Sequence, residues 1–327
     1  MAQARRALLA GLALSALGAA LWIGRAVGTP LPDAGLPVDP TAPGDAIVPG
    51  DAGVAPDPLR AAVATGREIR IEGHRGPIRV WIPASYHADT AATIVYVHGF
   101  HDTVDTAWVN HRLPEQFALA AANALIIAPE APSKKGVPIN YPDLGELIRI
   151  VEDATGVMRG SAYTAAIGHS GAIKTLYEWL DEPMLDALVL VDALYLDESP
   201  AVAWLAGSPR RRLVTVGEDT ILASEDAADE IAGTVRLDRF PPSWSLWPAE
   251  ARTARHLYIR AQYTHMGLVT NGLVLPALVR LLPVELLADE PWQAPLGSLS
   301  VPDAVPDAAP DAVPAAPHAA SHAASAK

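Results

Sequence analysis

Residues 163–172 read Tyr-Thr-Ala-Ala-Ile-Gly-His-Ser-Gly-Ala. An unbroken apolar run stops at a glycine, and a helical pattern resumes over 171–180. Gly168-His169-Ser170 is the sole Gly-x-Ser in a chain that holds 24 glycines. A buried strand that turns sharply into a helix lifts the serine hydroxyl clear of the sheet. Strand and helix then approach closely, so the positions two before and two after the serine must be small. Gly168 and Ala172 meet that demand. The helix also turns its amide end toward the hydroxyl, which favours negative charge developing there.

Further apolar runs flank this one. Short β-branched stretches at 93–97, 124–128, 187–191, 213–216 and 256–259 read as strands buried on both faces, as in a parallel sheet. Residues 67–72 and 78–82 read as an antiparallel hairpin across Gly73–Gly76. Helical patterns at 113–122, 144–154, 171–180, 224–232 and 272–282 fall between or after the strands, the last behind Asn271 as an N-cap. Alternating strand and helix predicts an α/β, mostly parallel, doubly wound sheet with helices on both faces. Such sheets meet ligands at the carboxyl ends of their strands.

The chain outside this pattern differs in kind. Residues 1–28 open with Arg5 and Arg6 before an apolar run over 7–24, which predicts a signal peptide or an N-terminal membrane anchor. Residues 29–59 repeat aspartate every six positions from Asp33 to Asp57, among Pro, Ala and Gly. Residues 289–327 place Pro302, Pro306, Pro310 and Pro314 four apart. Both segments read as disordered, self-repelling spacers that frame a single folded domain over 60–288. The net charge of −13 argues against nucleic acid as a partner. The absence of cysteine excludes disulfides and thiolate chemistry.

Three elements, each behind its own strand, now line up: Val97-His98-Gly99-Phe100, the Gly168–Ala172 turn, and Thr264-His265-Met266-Gly267. In this order the chain resembles the α/β-hydrolase family over 67–282. The resemblance implies a serine nucleophile, Ser170, with His265 as its base. It implies an oxyanion hole from the amides of Phe100 and Gly171, and no cofactor or metal. The acid stays open between Asp192, directly after the sixth strand, and Asp219, after the seventh, with Glu218 beside it. His98, His101 and Asp102 also admit a metal reading, but His98 before a glycine suits an oxyanion loop better. His169 flanks the nucleophile, and His74, His87, His111 and His256 carry no comparable placement.

These residues set a reaction type rather than a substrate. The expected protein is an exported serine hydrolase, periplasmic, secreted or held at the membrane through 7–24. It would cleave an ester, or an amide, in a small molecule or a cell-envelope component. A peptidase on the same fold and a catalytically silent binding protein are the alternatives. The stretch from Phe240 to Trp247 is either a roof over the pocket or a loop held by core tryptophans.

Overall fold

Nine strands form one sheet in the order β1-β2-β4-β3-β5-β6-β7-β9-β8 in the computed structural model, which describes residues 63–160 and 162–288. The apolar run at 7–24, the spacer at 29–59 and the tail at 289–327 lie outside the described residues. The strands are β1 (Arg67–Gly73), β2 (Gly76–Ile82), β3 (Ala92–Val97), β4 (Ala124–Pro129), β5 (Tyr163–His169), β6 (Ala187–Val191), β7 (Arg212–Gly217), β8 (Val235–Leu237) and β9 (His256–Arg260). β1 and β2 pair antiparallel as a hairpin, and β2 meets β4 antiparallel. Every pairing from β4 to β8 is parallel. β8, a three-residue edge strand, is too short to leave a sequence signal.

Helices α1 (Val104–Asn110), α2 (Leu113–Ala120), α3 (Leu144–Thr155), α4 (Ile173–Glu178), α5 (Ser199–Ala206), α6 (Ile221–Glu230), α7 (Ala249–Thr253), α8 (Gly267–Thr270) and α9 (Val274–Leu281) connect them. Alternate side chains of each central strand feed opposite cores. Ile94, Tyr96, Val189 and Val191 pack with residues of α2 and α9 on one face. Val95, Val97, Leu188 and Leu190 pack with residues of α3, α4 and α5 on the other. Burial on both faces explains why these strands read as continuous apolar runs.

Local chemistry sets where helices begin and packing sets whether they form. In α3, Leu144, Leu147, Ile148 and Val151 are buried on one face. Each contributes about 1.5–3 kcal/mol of burial, against about 1 kcal/mol for a cap. The Asp143 side chain accepts from the Glu146 amide at 2.6 Å and fixes the start. Helix α9 begins at Val274, two residues later than the sequence pattern suggests. Asn271 nevertheless accepts from the amides of Leu273 and Val274. Helix α2 stops at Ala120 because Ala121 turns left-handed, with φ 49°.

The amino ends of the strands carry a second pattern. The arginines there donate to carbonyls in the last turns of helices. Arg212 reaches Leu281 O of α9 and Ala251 O of α7. Arg255 reaches Leu205 O, and Arg211 reaches Trp204 O, both in α5. Arg280 reaches Ala120 O of α2. Helix carboxyl ends carry partial negative charge and unpaired carbonyls, so these cations meet helix dipoles.

The segment from Phe240 to Trp247 is packed onto the domain. Phe240 and Trp247 are buried with ring centroids 6.0 Å apart. Phe240 is pinned through both backbone groups by the Gln262 amide. The guanidinium groups of Arg252 and Arg280 lie 4.9 and 5.2 Å from the Trp244 ring centre. Of the two readings of this stretch, core packing describes these aromatics.

Candidate active site

Ser170 caps β5 with φ 54°, a left-handed conformation that serine seldom adopts. A single 3₁₀ turn, Ser170–Ala172, leads on into α4. The packing that forces this turn is measurable: a Cβ on Gly168 would stand 2.3 Å from Leu176 Cδ1 and 2.9 Å from Ala172 Cβ. Small residues at 168 and 172 are thus required on steric grounds. A Cβ on Gly99 would lie 2.8 Å from Ser170 Cβ, so the loop after β3 touches the serine directly. The Phe100 ring lies over Gly171, and Lys174 Nζ sits 5.4 Å from that ring's centre. The loops carrying the Phe100 and Gly171 amides therefore meet beside Ser170.

His265, in the loop after β9, places Nδ1 2.6 Å from Asp192 Oδ2. The carboxylate can only accept, so Nδ1 carries the proton and Nε2 is left as the base. Asp192 follows β6 directly, is fully buried, and has φ 46°. Its carboxylate also accepts from the amides of Glu218, Asp219 and Thr220 at 3.0, 3.1 and 2.9 Å, and from the Thr220 hydroxyl at 2.8 Å. Burial opposes the charge on Asp192, but the bonds from His265, Glu218 and Thr220 outweigh it and hold the carboxyl well below its ordinary value. The same contact with Asp192 raises His265 above the usual histidine value, against the cost of its partial burial.

Asp219 takes a different place. Its Oδ2 is 3.8 Å from His265 Nδ1 and its side chain is 58% exposed. It accepts from Tyr195 at 3.4 Å. Of the two acids open in the sequence, Asp192 is the one bonded to His265, and Asp219 stands outside it. Burial, then the neighbouring Asp219, raises Glu218. Asp192, Glu218, Asp219 and His265 bring ligand-type atoms within 4.8 Å of one another. Both Asp192 oxygens are already taken by the donors above, so this group works as a hydrogen-bond network.

The other histidines divide clearly. His98 Nε2 accepts from the Ala131 amide at 3.1 Å and Nδ1 faces Gly99 O at 2.8 Å. Nε2 ties the loop after β3 to the loop after β4 and Nδ1 bonds within its own loop, so both ring nitrogens are engaged. Burial lowers the His98 pKa. His101 is exposed, with φ 73°, and donates its backbone amide to Ser133 O. Asp102 lies 3.4 Å from buried His111, and Glu130 accepts from the Val104 amide, so both support α1 and its loop. His256 is buried between the Thr215 and Thr234 hydroxyls.

Two contributors escaped the sequence. The amides of residues 218–220 hold the acid, but only the fold brings that turn to Asp192. His169 is 2% exposed and its ring lies 4.4 Å from the His265 ring. Its place beside the serine was visible; its contact was not.

No family model matches the chain, and no curated protein matches it. Among solved structures, it is similar to the feruloyl esterase module of Clostridium thermocellum, 13% identical, with TM-score 0.47 over 68% of this chain and 92% of that one. A fluorophosphonate-binding serine hydrolase of Staphylococcus aureus matches at 10% identity and TM-score 0.43, over 66% and 99% of the two chains. The esterase of Pyrobaculum calidifontis matches at 15% identity and TM-score 0.39, over 68% and 87%. The strand order and the left-handed serine behind β5 give the described domain an α/β-hydrolase-like fold.

Proposed function

We propose that the protein is a serine hydrolase that cleaves an ester or amide through an acyl-enzyme. The observation that carries this reading is the 2.6 Å bond from His265 to buried Asp192, behind a serine held in a left-handed turn. In the first step His265 Nε2 takes the Ser170 proton as Oγ attacks the substrate carbonyl. The carbonyl oxygen becomes an alkoxide between the amides of Phe100 and Gly171. One such donor supplies about 3 kcal/mol in the transition state. Imidazolium, stabilised by Asp192, then protonates the leaving group and the acyl-enzyme forms. Water repeats the cycle: His265 takes its proton, oxygen adds to the acyl carbon, and Ser170 leaves with the proton restored.

Among the described residues no hydrogen bond joins Ser170 Oγ to His265. Such contacts commonly tighten only with substrate bound. The apolar run at 7–24 behind Arg5 and Arg6 supports export, with the site acting beyond the inner membrane on a small ester or an envelope component. A fluorophosphonate probe tests the chemistry. It should label Ser170 in the wild type and leave Ser170→Ala unlabelled. Absence of wild-type labelling would favour a silent binding protein instead. Paired ester and amide chromogenic substrates separate esterase from peptidase.

A further inference from the structure

We infer that His169 is a positioning residue for His265, holding the loop of the base by a hydrogen bond to the His265 backbone carbonyl. The inference rests on the proposed function for its catalytic consequence, but not for its geometry.

His169 Nε2 is 3.2 Å from the backbone carbonyl of His265. A carbonyl only accepts, so Nε2 carries the proton and Nδ1 is bare. Nδ1 is buried and has no hydrogen-bond partner. Its edge faces Gly99, where a Cβ would stand 3.3 Å from Nδ1. His169 thus fills the gap between two loops, the one after β3 and the one after β9. The ring face lies against His265, with centroids 4.4 Å apart and planes inclined by 37°. Behind it, the His111 ring packs edge-on at 6.0 Å, and Tyr96 fixes His111 through Nδ1 at 2.8 Å. A buried column of rings therefore runs from the core to the imidazole.

The chemistry needs this ring neutral. During acylation His265 becomes a cation. A second imidazole in contact would repel that cation if it were itself charged. Burial, followed by the neighbouring His265 and His111, holds His169 down at about 3. A bare Nδ1 without an acceptor has the same consequence. The serine and the ring that steadies its base are consecutive residues, so the strain at Ser170 and the aim of His265 are set together.

Two variants separate the components. His169→Phe keeps a ring in the gap and loses the donor. His169→Gln keeps a donor near the Nε2 position and loses the ring. Fluorophosphonate labelling should slow about tenfold or more in His169→Phe, since a misplacement of about 1 Å already costs that much. In His169→Gln, where the donor to the His265 carbonyl is kept, it should stay within about threefold of wild type. The loss should fall in the maximal labelling rate, with the half-saturating probe concentration unchanged. Should the Phe variant not fold, His169→Asn, whose amide is too short to reach the His265 carbonyl, must show the same slowing.

A second readout is independent of activity. The His265 Nδ1 proton, followed by NMR, should give a sharp downfield signal in wild type and His169→Gln, broadened in His169→Phe. Labelling of a folded His169→Phe at the wild-type rate, or equal slowing in both variants, overturns the inference. A wild type that does not label refutes the proposed function. The NMR comparison then still decides the positioning role: an unchanged signal in His169→Phe overturns it.

Discussion

Asp192 and Asp219 approach the same His265 nitrogen at 2.6 and 3.8 Å, and backbone geometry separates them. Asp192 turns left-handed straight off β6, which aims its carboxylate across the neighbouring β7 toward the loop after β9. Amides 218–220 then wrap around it. Asp219 supplies one of those amides and keeps its own side chain in solvent. Asp192→Asn should lower turnover by about 10³–10⁴-fold, because the amide favours the wrong imidazole tautomer. Asp219→Asn should change it by less than about threefold, since the exposed charge is screened. Steady-state kinetics on both variants measure this, and comparable losses would return the acid to doubt. The sequence offered both residues because each follows a strand end. What it lacked was the sign of φ at Asp192. The metal reading of His98 was open for a similar reason, since a loop histidine does not declare its hydrogen bonds.

At the level of elements, apolar runs marked every central strand, because both faces of those strands are covered. The edges were harder to read. β8 has three partly exposed residues, and α1, at seven residues, carries no pattern that the sequence reading used. Short elements leave too few side chains to show a period. The helix ends were also silent: nothing in the sequence assigns the arginines at 211, 212, 255 and 280 to helix carbonyls. Arg212 is buried and donates to two helices at once. Lysine carries the charge as a point and cannot span both carbonyls. Arg212→Lys should therefore cost about 1–3 kcal/mol of stability, the penalty of an unpaired buried carbonyl. Denaturant midpoints measure the loss, and an unchanged midpoint would show that the carbonyls find other donors.

For the whole molecule, buried histidines tie stability to pH. His169 and His256 are lowered to about 3 and about 4, each chiefly by burial. His98 moves in the same direction. Unfolded histidine titrates at about 6.5. Between that value and about 4 the unfolded chain binds more protons than the native one, so stability falls as pH falls. Asp192, also lowered, extends the loss at still lower pH. His265 is raised and works the other way: its contribution is full below about 6.5 and lost as pH rises through its folded value. It is one partly exposed group against three buried ones. The Tm should therefore drop steadily from pH 7 to 4, and a Tm that stays level or climbs over that range would contradict the balance.

Ser170, Asp192 and His265, the proposed triad, stand behind β5, β6 and β9, and the last of them arrives at residue 265 of a domain whose described part ends at 288. A growing polypeptide therefore carries the Ser170 hydroxyl for 95 residues and the Asp192 carboxylate for 73 before His265 joins them. On the proposed mechanism, synthesis that stops short leaves an inert fragment. Reactivity, once it appears, certifies that almost the entire sheet has been completed.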